Sequence, residues 1–322
     1  IREEDILNVK ILKEKEEKEK TKKEKTKSKE DLPNIALVIT GGTISSKLDS
    51  KTGAVKWLTD PKELLEFYPE LLEFANIFKV EVPFMKASEN MDQDDWKAIS
   101  ETVEKLLNDK IISGVIVTHG TDFLHYTASA LAYSLGKLNK PVILTYSQRS
   151  SDRASSDARL NLICSARAAI SDIAEVMIVG HASENDDFCY ALPATKTRKM
   201  HTSRRDAFRP INAKPIAKIT KDKIMPMTTY NPRNNDKVKL KGKFSNKTAL
   251  IKFYPGMPED ILDFYVKQGV KGIVLEGSGL GHVATDESKN NLLPAIKKAI
   301  KSGITICIAP QTLYGRLNPK VY

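Results

Sequence analysis

The feature that most constrains this chain is an apolar run that stops abruptly in glycine: Ile35-Ala36-Leu37-Val38-Ile39-Thr40-Gly41-Gly42-Thr43-Ile44-Ser45. Such a β-branched run reads as a buried strand. Two glycines at its end let the backbone turn sharply and let a ligand come close. Thr43 is thereby delivered to the carboxyl edge of a sheet, where open α/β folds bind ligands. A Gly-rich turn can also cradle phosphate, but neither G-x-G-x-x-G nor G-K-[ST] is present. Taken alone, the stretch also fits an ordinary strand-to-helix turn.

A second strand end repeats the design. Gly114-Val115-Ile116-Val117-Thr118-His119-Gly120-Thr121-Asp122 is an apolar run, then glycine, threonine and an acid, and a helical pattern follows from Phe123 to Gly136. Two parallel strands ending this way place two hydroxyls and a carboxylate at one sheet edge.

After Pro33 the chain alternates. Strands are expected at 35–40, 78–83, 114–118, 142–146 and 176–180, and helices at 61–74, 92–108, 123–136 and 156–170. This is the pattern of a parallel α/β sheet. Pro61 suits a first helical turn after Asp60, and Asp92, Asp94 and Asp95 load acids onto the start of the next helix, where the dipole favours them. From 209 to 246 prolines at 210, 215, 226 and 232 break the pattern, which reads as a connector with room for a hairpin. Alternation resumes from Ala249 in a second, smaller α/β domain.

Length and composition bound the rest. The chain has 322 residues, 41% of them hydrophobic, enough for a large core. No apolar stretch approaches the ~20 residues of a membrane span, and no signal peptide is visible. The three cysteines are far apart; Cys164 and Cys307 lie in apolar runs and read as core residues. They form neither a disulfide framework nor a zinc spacing, so a reducing cytoplasm is expected. His119 suits a hydrogen bond in its turn. His125 and His181 lack a metal-ligand spacing, and His201 sits among arginines. No metal is expected.

The net charge is +10. Residues 10–29 are almost entirely Lys, Glu, Thr and Ser with nearly balanced charge, which reads as a solvated linker or fraying helix. The basic excess therefore lies further on, notably between Lys196 and Lys243. It suits either a polyanion such as tRNA or a simply solvated surface.

The T-G-G-T-I and H-G-T-D segments together resemble the asparaginase/glutaminase family. The resemblance runs from about Asn34 to Tyr322. It narrows at Ser88-Glu89-Asn90-Met91, at Gln148 to Arg153, at Arg198 to Phe208, at Gly277 to His282 and at Gln311 to Arg316. There the chain is similar to an archaeal branch of amidases that supply ammonia to a tRNA-dependent amidotransferase. The implied fold is asparaginase-like α/β, with a larger N-terminal parallel-sheet domain at 32–208, a connector at 209–246 and a C-terminal domain at 247–322 that is shorter than the family's. The resemblance also implies a small barrel ahead of this region, so residues 1–31 are expected to be its end and a charged linker.

The resemblance carries roles to individual residues. Thr43 matches the family's nucleophile, Thr121 and Asp122 its Thr-Asp pair, and Lys199 its catalytic lysine. A threonine hydroxyl needs an adjacent base, and a lysine serves if its surroundings lower its pKa. Ser88 and Glu89 match the loop that holds the substrate's α-carboxylate and α-amino groups; Ser88-Glu89-Asn90 also suits a helix N-cap. Gly42 and Gly120 line the substrate turns. His282 matches a residue that reaches a neighbouring protomer's site, or is a plain loop histidine. One departure stands out: the family's mobile loop usually carries a tyrosine where this chain has Ser50.

The implied function is hydrolysis of glutamine or asparagine through an acyl-Thr43 intermediate. Ammonia would pass to a kinase/transamidase partner, the E subunit of such an amidotransferase, that acts on tRNA(Gln)-bound glutamate with ATP and Mg²⁺. This chain itself carries no cofactor signature. A homodimer within a heterotetramer is the expected assembly, with no membrane partner. The alternatives are a stand-alone cytoplasmic asparaginase and a non-catalytic docking scaffold.

Overall fold

A computed structural model describes residues 32–48, 55–57, 68–318 and 320–321. Half of the expected helix at 61–74 therefore lies outside the described residues; in its described half, Pro69–Glu73 is a 3₁₀ turn.

The first motif forms β1 (Asn34–Ile39). Two short strands, β2 (Ser46–Leu48) and β3 (Val55–Trp57), pair antiparallel after it. β4 (Asn76–Glu81) follows, then α1 (Gln93–Leu107) and β5 (Ile112–Thr118). Next come α2 (Leu124–Leu135), β6 (Val142–Thr145), α3 (Ala158–Ala169) and β7 (Val176–His181). The strands β4-β1-β5-β6-β7 are parallel neighbours in that order. β1 is an inner strand, between β4 and β5, and is buried on both faces, which is why it reads as an unbroken apolar run rather than an alternating one. Its odd-numbered residues Ile35, Leu37 and Ile39 join the core with α3, whereas Ala36 and Val38 join the core with α1 and α2.

Local signals set the helix ends. Asp92 caps α1, accepting from the amides of Asp94 and Asp95, while the Asp95 carboxylate accepts from the Asp92 amide and closes a capping box. Gly136 ends α2 with a positive φ of 65°.

The antiparallel side of the sheet is built later in the chain. β8 (Cys189–Pro193) pairs with β7, and β9 (Thr197–Lys199) forms a separate two-stranded ladder with β10 (Phe208–Pro210). β11 (Ala217–Ile219) and β12 (Ile224–Pro226) are a hairpin that extends the main sheet beyond β8. The stretch read as a connector thus gives its hairpin to the first sheet. The prolines flank these strands or close them, so the ladder keeps its amide donors.

The second sheet is β13 (Thr248–Lys252), β14 (Gly272–Gly277) and β15 (Thr305–Pro310), all parallel, with α4 (Asp260–Lys267) and α5 (Leu292–Lys301) packed on it. The Asn212 side chain ties this part to the first, donating to the Gly315 carbonyl at 2.7 Å and accepting from its amide at 3.2 Å. Cys307 corrects the sequence expectation of a core thiol. It shares its register row with Val274 and Leu250, and all three are exposed because α4 and α5 cover the other face. Cys164 and Cys189 are buried. No helix among the described residues is long and apolar enough to cross a membrane.

Candidate active site

The two motif strands are adjacent, so their turns meet at the carboxyl edge of the sheet. Val38 pairs with Val117 and Ile39 with Thr118. Thr40 continues the pairing: its amide and its hydroxyl both donate to the Thr118 carbonyl, at 3.3 and 2.8 Å. Beyond it Gly41 and Gly42 have φ of +116° and +84°, conformations that L side chains rarely adopt. A Cβ on Gly42 would lie 2.4 Å from the Gly120 nitrogen. The two Gly-Thr turns are therefore in backbone contact at Gly42 and Gly120.

Thr43 begins a single 3₁₀ turn, Thr43–Ser45, and is half-buried. Its carbonyl accepts from the Ser46 hydroxyl at 2.6 Å, and the Ser45 hydroxyl meets that of Thr118 at 3.1 Å. The Gln148–Arg153 segment closes over this turn: Ser151 Oγ donates to the Ile44 carbonyl at 2.7 Å and the Ser151 amide to the Ser46 carbonyl at 3.2 Å.

Lys199 lies at the end of β9, and its side chain is 10% exposed. Its Nζ donates to Thr121 Oγ1 at 2.9 Å and to Asp122 Oδ1 at 2.7 Å. Three of the four expected catalytic groups thus form one hydrogen-bonded chain. The fourth, Thr43, follows Gly42, whose backbone packs against that of Gly120, the residue before Thr121.

Ser88 is buried in the 3₁₀ turn Ser88–Asn90, and its hydroxyl accepts from the Phe123 amide at 3.3 Å. The N-cap reading of this turn is corrected: Asp92 caps α1, and Ser88 instead braces the turn that carries Thr121. Gly120 leaves room for it, since a Cβ there would sit 3.1 Å from Ser88 Oγ. Glu89 is exposed on the same turn. Lys86, two residues before Ser88, pairs with Asp95 at 2.7 Å and donates its amide to the Thr40 carbonyl, so α1 and β1 both anchor this loop. His282 is exposed in the turn after β14, where its carbonyl accepts from the Ser278 amide at 2.9 Å; the Lys199 chain does not include it. Ser50 lies outside the described residues.

Two histidines flank the site. His119 is fully buried, its Nδ1 2.7 Å from the Gly120 carbonyl, and Nε2 has no partner among the described residues. Burial lowers its pKa to about 4, with the bond to Gly120 opposing. His125 is also lowered to about 4, by burial and then by Arg198 and Lys199. Both are neutral at pH 7. An open cleft of about 420 Å³ adjoins Lys199 and Asp122, lined also by Phe123, Tyr126, Met200 and Thr202. Sequence reasoning missed Ser151, whose bonds to the Thr43 turn join residues far apart in the chain.

This fold and this site define a class. Residues 34–230 match the family of N-terminal asparaginase domains, and residues 247–322 match the glutaminase/asparaginase C-terminal domain. The chain belongs to the asparaginase family. Within it, the chain is 47% identical over 296 residues to the D subunit of glutamyl-tRNA(Gln) amidotransferase from Thermococcus kodakarensis, covering 91% of this chain and 66% of that protein. It is 43% identical over 293 residues to the corresponding protein of the same name from Methanosarcina acetivorans, covering 90% and 67%. The chain spans about two thirds of the length of these curated relatives. Among solved structures, the thermostable L-asparaginase from Thermococcus kodakarensis superposes with a TM-score of 0.77 at 24% identity, over 90% of this chain and 83% of that one. L-asparaginase I from Vibrio cholerae gives 0.76 at 26% identity, over 89% and 84%.

Proposed function

We propose that this chain is the ammonia-releasing amidase part of a tRNA-dependent amidotransferase. The observation that carries this reading is the Thr121–Lys199–Asp122 chain beside the Thr43 turn. In the proposed reaction Thr43 Oγ attacks the side-chain amide carbon of glutamine or asparagine. Lys199, through Thr121, handles the proton that leaves Thr43 and returns it to the departing nitrogen. Asp122 orients the lysine. Backbone amides of the two glycine turns are suited to the oxyanion, and Ser88 and Glu89 to the substrate's charged α-groups. Water then hydrolyses the acyl-Thr43 ester and restores the free hydroxyl.

Similarity to the glutamyl-tRNA(Gln) amidotransferase proteins of Thermococcus and Methanosarcina supports the coupling to tRNA. In that reading ammonia passes to a partner protein that activates tRNA-bound glutamate with ATP and Mg²⁺, in the cytoplasm. The test compares ammonia release by the chain alone, with a candidate partner, and with partner plus glutamyl-tRNA(Gln). Acceleration by partner and tRNA, weakened by salt because phosphate contacts release counterions, is the expected result. Equal, fast rates in all three would favour a stand-alone amidase, and no release in any would favour a docking scaffold.

A further inference from the structure

Arg205 takes no direct part in the proposed chemistry, yet its guanidinium gathers three loops. Nη2 donates to the Ser155 carbonyl at 2.7 Å, and Nη1 donates to the Glu184 carbonyl at 3.1 Å and to Asp186 Oδ2 at 3.2 Å. Its own carbonyl accepts from the Tyr146 hydroxyl at 2.9 Å. The side chain is only 16% exposed. A planar fork with donors in several directions makes such a three-way tie; an ammonium does not.

Two of these loops lead to parts of the site. Ser155 belongs to the segment whose Ser151 holds the Thr43 turn. Arg205 itself lies in the loop closing the β9–β10 ladder, where Lys199 pairs with Phe208. That ladder is three residues long on each strand, too short to hold its own geometry. Phe208 and the Arg205 carbonyl are both fixed by Tyr146, whose ring lies 4.6 Å from that of Phe208.

Asp186 is held from inside. His181 is buried, with Nε2 2.9 Å from Asp186 Oδ1 and Nδ1 2.6 Å from Asn161 Oδ1. Asn161 donates its amide nitrogen to the Tyr146 carbonyl, which turns its oxygen towards the His181 ring. Arg204 and Arg209 do not share the Ser155 role: both pair with Asp206 in their own segment.

We propose that Arg205 is a positioning residue that fixes Lys199 relative to Thr43, by tying the Ser151–Ser155 segment to the Lys199 hairpin with Asp186 and His181 as its inner support. This rests on the amidase reading above. Ser88 and Glu89 lie on a turn that none of these bonds reaches, so the effect should fall on kcat rather than KM.

The test compares wild type, Arg205→Met, Arg205→Lys and the milder Asp186→Asn in the full chain. It measures ammonia release from glutamine and asparagine, and hydrogen exchange by peptide. Arg205→Met should lower kcat about 10²-fold, the scale of a misplaced catalytic group, with KM changed less than about threefold. Arg205→Lys should recover only part, and Asp186→Asn should shift kcat the same way by less. Exchange in Arg205→Met should rise together at 43–46, 151–156 and 197–200. Wild-type kcat in Arg205→Met, a change in KM alone, or faster exchange confined to 203–207 would overturn the proposal. If wild type releases no ammonia, the amidase reading fails, and the exchange measurement still decides whether Arg205 couples the two segments.

Discussion

The backbone of Gly42 lies so close to that of Gly120 that a Cβ added at Gly42 would come within 2.4 Å of the Gly120 nitrogen. This contact brings together two motifs that are far apart in the chain. Gly42→Ala must therefore both adopt a φ of +84° and push the turns apart. The strained conformation costs ~1–2 kcal/mol and overpacking ~1–3 kcal/mol more. Thermal or urea unfolding should show a loss of that order, together with loss of amidase activity. An unchanged melting temperature would contradict the observed contact.

Thr43→Ala removes the proposed acyl acceptor, and Lys199→Met removes the ammonium while keeping most of the stem. Each should lower kcat by ~10²–10⁴-fold, the range for losing a positioned proton-transfer group. Steady-state ammonia release measures this. Near wild-type turnover in either variant would remove that residue from the mechanism.

Glu89→Gln weakens the proposed charge-assisted contact to the substrate's α-ammonium, of a kind worth ~1.5–3 kcal/mol. KM should rise about tenfold or more while kcat changes little. Because Glu89 is exposed in the free protein, its removal should leave stability unchanged. A fall in kcat with constant KM would show that Glu89 acts elsewhere.

Acid should destabilise the fold through His119, which is fully buried, and His125, which is half-buried. His119 has its pKa lowered from 6.5 to about 4 by burial, so below pH 6.5 the unfolded chain binds a proton that the native chain refuses. The stabilising contribution is complete above about pH 6.5 and is lost as pH falls towards about 4. At one pKa unit per ~1.4 kcal/mol, His119 alone accounts for at most ~3.5 kcal/mol. His125 acts in the same direction. Unfolding measured between pH 4 and 7 should show this slope, and His119→Gln should flatten it. A slope unaltered in that variant would refute the assignment.

The sequence by itself determined the secondary elements that carry the site. The apolar run to Ile39 and the run to Thr118 could only be buried strands, Asp92 and Gly136 marked helix ends, and two Gly-Thr turns marked the working edge. These signals are local: periodicity, capping and backbone freedom act within a few residues. Tertiary structure decided the rest. Lys199 was named by resemblance alone; that it bonds Thr121 and Asp122 depends on how the β9–β10 ladder lies against α2. That Cys307 is exposed depends on which face of the small sheet the helices cover. Ser151 and Arg205 lay in stretches marked only by resemblance and Asp186 in none; the bonds that give the first two a role, to Ile44 and to the Ser155 carbonyl, join segments 107 and 50 residues apart. Such contacts arise only where packing brings loop ends to one sheet edge, and there a polar group left buried without a partner would cost more than the bond that satisfies it.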